Sequence, residues 1–206
     1  MRQGILAAAI LCGWAVGAAA EERFPQLTPE QMTPEQKRVA EAIMRSPRGG
    51  LSGPFNAWLR SPEVGDRLQR VGEQLRFHSS IPAALNEFAI LITAREWSSQ
   101  YEWYAHYPLA MKAGLPASVA EDLRLGRRPE SMSEEQRIVY DFCTELHRSH
   151  VVSDATFAAA KQRFGEQGVV DLIAVSGYYV TVSMTLNTAQ VGLPAGVAPP
   201  LPELKR

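Results

Sequence analysis

Helix-start signals recur along this chain, and no stretch alternates apolar and polar residues long enough to read as a strand. Thr33-Pro34-Glu35-Gln36 carries the hydroxyl N-cap, N1 proline and N3 glutamine of a capping box, and Ser133-Glu134-Glu135-Gln136 is a second box of the same kind. Ser153-Asp154 caps another helix, expected to stop at Gly165. Thr28-Pro29-Glu30-Gln31 copies the first box a few residues upstream and reads as an abortive turn. These signals constrain the chain to an all-α fold, a single-domain helical bundle.

The segments between the caps agree. Ser61-Pro62-Glu63 opens a helix in which Val64, Leu68, Val71 and Leu75 fall on one face, the face expected to turn inward. After a turn at His78-Ser79-Ser80, Pro82 opens an apolar segment whose length through Trp97 favours helix over strand. A further helix covers Ser99 to Ala113 and ends at Gly114-Leu115-Pro116. Val169 to Thr188 is apolar and rich in β-branched residues, yet no neighbour offers it a strand partner, so it reads as a buried helix. The expected organisation is an extended segment over 21–34, a helical domain over 35–191 and a proline-rich tail over 192–206 that lies over the surface or a neighbouring subunit.

Met1 to Ala20 has the three-part form of a secretory signal: a weakly positive start, an apolar stretch through Val16, and Gly17-Ala18-Ala19-Ala20 for the peptidase. The expected cleavage after Ala20 makes the mature protein periplasmic or secreted, without a membrane anchor. The whole chain carries a net charge of −1, with 21 basic against 22 acidic residues, and no basic stripe for nucleic acid. Cys12 leaves with the leader. Cys143 then stands alone in a buried helical setting, which rules out a disulfide, a dithiol pair or a cysteine-rich metal site.

The chemically capable residues concentrate in Arg95 to His106. Glu102 and His106 are four apart and share a helix face, with Ser99 one turn earlier and Trp103 at the border. A carboxylate beside an imidazole raises its proton affinity and orients it, as a general acid, base or relay requires. A plainer reading competes: Ser99-x-x-Glu102 is itself a capping box, and His106 can be a packed core histidine. His147 and His150, three apart, suit a helix end, where protonated histidine favours the dipole. His78 sits in the turn before Glu87 and could border a pocket.

The stretch Glu87 to Pro116 resembles the signature region of the carboxymuconolactone decarboxylase and alkylhydroperoxidase D superfamily, through Glu-Trp-x-x-His, Ala110 and the Ala113-Gly114-Leu115 stop. The peroxidase branch spaces a glutamate, two cysteines and a histidine as Glu87, Ser99, Glu102 and His106 are spaced here. Both cysteine positions are replaced, and a serine hydroxyl cannot cycle through a disulfide, so thiol peroxidase chemistry is disfavoured. The resemblance implies a bundle of the alkylhydroperoxidase D-like type that forms trimers or hexamers and needs neither metal nor cofactor. It implies Glu87, Glu102 and His106 as the catalytic set, in decarboxylation or related proton transfer on a small carbonyl or lactone acid. Arg76 or Arg95 would meet an anionic substrate, and Ser99, Trp103, Tyr101 and Tyr104 would supply further contacts. A binding or structural protein that kept the scaffold without the chemistry is the alternative.

Overall fold

The computed structural model describes residues 23–204; the expected leader lies outside them. Among the described residues there are eight helices and no strand. They are α1 (Pro34–Arg45), α2 (Phe55–Trp58), α3 (Pro62–Phe77), α4 (Ala83–Glu96), α5 (Gln100–Lys112), α6 (Ala117–Arg124), α7 (Glu134–Ser149) and α8 (Asp154–Ala189).

Side-chain caps open three of these helices. Thr33 and Ser133 each accept a bond from the backbone of the N3 glutamine, whose side chain bonds back to the cap, closing both boxes. Ser153 accepts from the Thr156 backbone and opens α8. The expected stop at Gly165 is a break inside one long element: Gly165 takes φ 69° and ψ 179°, a conformation that side chains resist, and the helix resumes beyond it. By length and composition alone α8 could cross a membrane, but half of its most apolar window is buried inside the protein.

The core forms around α4. Every residue from Leu85 to Arg95 is buried, as expected for a helix covered on all sides. Helices α5, α6, α7 and α8 pack around it, and α3 lies on α8 and α1. Phe88 stacks on Tyr140, and Leu91, Ile92, Phe142 and Leu172 fill the centre.

Helix α3 corrects the sequence reading in part: Leu75 is buried and Leu68 packs on the core, but the two valines do not turn inward. Its inward face carries Gly65, Gln69, Gly72 and Leu75, while Val64 is 52% and Val71 46% exposed. The reason is close approach. A Cβ on Gly65 would sit 2.8 Å from the Trp58 carbonyl oxygen, and one on Gly72 would sit 2.0 Å from the Tyr178 hydroxyl. Only a row of small residues lets α3 come this near to α2 and α8, so spacing between backbones outranks the valine stripe.

The tail lies on the chain's own helices. Gln100 and Leu201 exchange two hydrogen bonds of 2.9 Å, Gln100 Nε2 donating to the Leu201 carbonyl and Leu201 N–H to Gln100 Oε1. Arg124 donates to the Pro200 carbonyl at 3.0 Å, and the Leu201 side chain is buried. The start of α5 is thereby fastened by the segment at Pro200 and Leu201.

Candidate functional site

Helices α4 and α5 run side by side across a short turn at Trp97 to Ser99, and this hairpin brings Glu87 against His106. Glu87 Oε2 lies 2.7 Å from His106 Nδ1, and Glu102 Oε1 lies 3.1 Å from Nε2. All three residues are buried. Burial alone would push the imidazole toward its neutral form. The Glu87 charge and the hydrogen bonds to Glu102 and Glu87 outweigh it and raise the His106 pKa to about 9. At neutral pH the ring is an imidazolium that donates from Nδ1 to Glu87 and pairs at Nε2 with Glu102. The edge of Tyr179 closes over it, with ring centroids 5.0 Å apart at 82°.

The expected capping box at Ser99 does not form. Ser99 occupies the N-cap position of α5, but its side chain makes no cap bond, and its buried Oγ has no hydrogen-bond partner. Glu102, which would have completed the box, turns to the imidazolium instead, a charged donor preferred over a backbone amide.

A cleft of about 130 Å³ opens beside this cluster. Glu102, Ala105 and His106 line one side from α5, and Tyr178, Tyr179 and Val182 line another from α8. Arg76 reaches in from α3, and Arg48, Gly50, Ser52 and Gly53 come from the loop between α1 and α2. Phe55 and Tyr101 complete the wall. Burial raises the Tyr178 hydroxyl to about 12 and holds Tyr179 well above its ordinary value, so both phenols are neutral donors at physiological pH.

The structure sorts the remaining candidates. Arg76 and Tyr101 line the cleft. Arg95 does not: its guanidinium is spent on the carbonyls of Arg124 and Pro202, at 3.2 and 3.0 Å, and on Ser98 Oγ at 3.2 Å, where it holds the tail. Trp103 is buried and stacks on Tyr107 at 6.2 Å, and neither Trp103 nor the buried Ser99 lines the cleft. Tyr104 is partly exposed and meets Tyr101 edge-on. His78 is an exposed cap of α3. His150 ends α7 with φ 62°, while His147 reaches Thr93 Oγ1 at 2.9 Å. Cys143 is fully buried, and burial raises its thiol to about 12, which leaves no usable thiolate at neutral pH.

Arg48, Tyr178 and Tyr179 were not marked by the sequence. Arg48 sits in a glycine-rich loop with no periodic context, and the tyrosines are part of an apolar run that reads as core. A visible sign was Gly72 in the interior of α3, where glycine weakens a helix unless another group must come close. That group is Tyr178.

Comparison of this chain with protein-family models, with curated proteins and with solved structures finds no match.

Proposed function

We propose that this chain is a cofactor-independent acid/base enzyme on an alkylhydroperoxidase D-like scaffold, resembling carboxymuconolactone decarboxylase. Its substrate is a small carbonyl or lactone acid. The observation that carries the reading is His106 paired at both ring nitrogens with buried glutamates, beside a cleft that Glu102 and His106 both line. Two carboxylates and an imidazole brought together out of water beside a cleft favour a working site over packing alone.

The arrangement favours division of labour. Glu87 holds Nδ1 and keeps the ring protonated and oriented. With Nδ1 taken, proton exchange with the cleft runs through Nε2 and Glu102. In a decarboxylation, the bond from carbon to the leaving carboxylate breaks, carbon dioxide departs, and the electron pair passes to the substrate carbonyl as an enolate. Carbon then takes the proton that Glu102 and His106 deliver, and water later restores it. Run without loss of carbon dioxide, the same relay would move a proton from one carbon to another, which is isomerase chemistry.

The test is a turnover screen of unsaturated lactone acids and aromatic acids with wild type, Glu102→Gln and His106→Ala, folding being checked by circular dichroism. Loss of turnover in both folded variants is the expected result. Equal turnover by folded His106→Ala would remove the histidine from the mechanism and end this reading.

The reading includes an exported protein that assembles with copies of itself. Val170, Ile173 and Met184, exposed along α8, are the apolar surface that favours assembly. Sedimentation of the mature chain as a monomer at micromolar concentration would count against it.

A further inference from the structure

We propose that Arg48 and Arg76 form a carboxylate-binding subsite in the cleft beside Glu102, and that the ligand it selects is a small planar monocarboxylate. This rests on the reading of the cleft as the reacting site and names the charge its substrate must carry.

The first observation is the absence of counter-charges. Among the described residues most arginines meet a carboxylate within ion-pair distance, but neither Arg48 nor Arg76 does. Glu73, on α3, acts on Arg48 from beyond that distance. The two guanidiniums are also neighbours. Both lie over the Phe77 ring, at 5.8 Å for Arg48 and 5.2 Å for Arg76, and the positive charge of Arg76 disfavours that of Arg48. Like charges held together in a partly dry cleft are costly unless an anion joins them.

The second observation is an unused donor. Arg48 Nη2 donates to the Gln69 carbonyl at 3.1 Å, while Arg48 Nη1 is buried and has no hydrogen-bond partner. Buried charged donors in folded proteins are almost always bonded, so Nη1 is the atom a ligand oxygen would satisfy. The Tyr178 hydroxyl and Arg48 Nη2 both lie within 2.9 Å of the point that a Gly72 Cβ would occupy, so glycine there leaves room for phenol and guanidinium to meet. The Arg48 guanidinium lies 5.4 Å from the centre of the Phe55 ring, a cation–π contact that helps to hold it. A planar guanidinium anchored through Nη2, with Nη1 unbonded, can meet the flat face of a carboxylate.

The charges of the wall favour one carboxylate over a dianion. Arg48 and Arg76 line the cleft together with Glu102, and Glu73 also acts on Arg48. A monocarboxylate meets the guanidiniums with a single charge, whereas a phosphate dianion brings a second charge beside Glu102. A cleft of about 130 Å³ also limits the ligand to roughly the size of a single ring.

Calorimetric titration with benzoate tests this, with benzamide as the neutral analogue of the same shape and inorganic phosphate as the competing anion. Saturable benzoate binding is expected, with benzamide and phosphate at least about tenfold weaker. Arg48→Gln and Arg76→Gln should each weaken benzoate by about tenfold or more, and Arg48→Lys by less, because it restores the charge without the fork. Should Arg48→Gln fail to fold, the partly exposed Arg76 carries the comparison. The subsite is refuted by benzamide or phosphate binding as tightly as benzoate, by no saturable benzoate binding to wild type, or by folded arginine variants that bind benzoate unchanged. Binding is read without turnover, so the two readings fail separately. Arginine-dependent benzoate binding with an empty turnover screen keeps the subsite and removes the acid/base function. Turnover that depends on His106 with benzoate indifferent to both arginines does the opposite.

Discussion

Replacing His106 with glutamine should abolish a specific pH dependence of stability. In the folded protein His106 holds its proton up to about pH 9, against an ordinary value of 6.5 for an unfolded chain. Between those limits the folded state keeps a proton that the unfolded state has released. The stabilisation is therefore fully present below 6.5, declines as pH rises, and is gone once pH has passed about 9. The decline is about 1.4 kcal/mol per pH unit, on the order of 3 kcal/mol in all. Urea unfolding of wild type and His106→Gln from about pH 7 to about pH 9 measures it. The expected result is a gap between the two stabilities that narrows by roughly that slope. Other groups do not imitate it. Burial holds His147 below its ordinary value, so its contribution is lost as pH falls, on the acid side of the window. Cys143 and Tyr178, both raised to about 12, lose theirs above the window, and both are present in each protein. A gap that stays constant across the window would refute the account of His106 as a buried imidazolium held by two carboxylates.

Three further outcomes follow from particular contacts. Gly72→Ala puts a methyl group where the Tyr178 hydroxyl now lies, and thermal unfolding should show a loss of about 1–3 kcal/mol; an unchanged Tm would mean α3 does not approach α8 this closely. Ser99→Ala removes a buried hydroxyl that has no partner and should change stability by less than about 0.5 kcal/mol or raise it; a loss of about 1 kcal/mol would restore the capping role. Cys143 should resist thiol reagents in native buffer and react fully in denaturant, and stoichiometric native labelling would contradict its burial.

The sequence told most where the chemistry is local. The boxes at Thr33 and Ser133 need only four consecutive residues each, and both form as expected. Glu102 and His106 are one helical turn apart, so their contact was legible, and Glu87 was added by resemblance before the fold brought it to Nδ1. Ser99 misled because the same short pattern serves two purposes, and a charged partner one turn on competes for Glu102. The face of α3 misled for a different reason. Periodicity reports which residues dislike water, but closeness to α8 depends on residues that lack side chains, here Gly65 and Gly72. Arg48 was out of reach for the same kind of reason: its meeting with Tyr178 depends on where α3 and α8 cross.

The two walls of the cleft therefore differ in how much of the chain they need. Glu87 and His106 are 19 residues apart and meet within one helical hairpin. The wall that holds Arg48 and Tyr178 depends on joining the two ends of the domain, a junction that also includes the hydrogen bond from Trp58 to Thr185, 127 residues apart. Closing a short loop costs little, whereas contacts between distant segments are lost together when an outer layer detaches. Partial opening of this protein should then part α1 to α3 from the rest while the hairpin of Glu87 and His106 stays folded. Amide exchange that frees α3 at a lower free energy than α4 would show it, and an equal value for both would mean the domain opens only as a whole. A cleft of this kind would lose its arginine wall before it loses the Glu87–His106 pair.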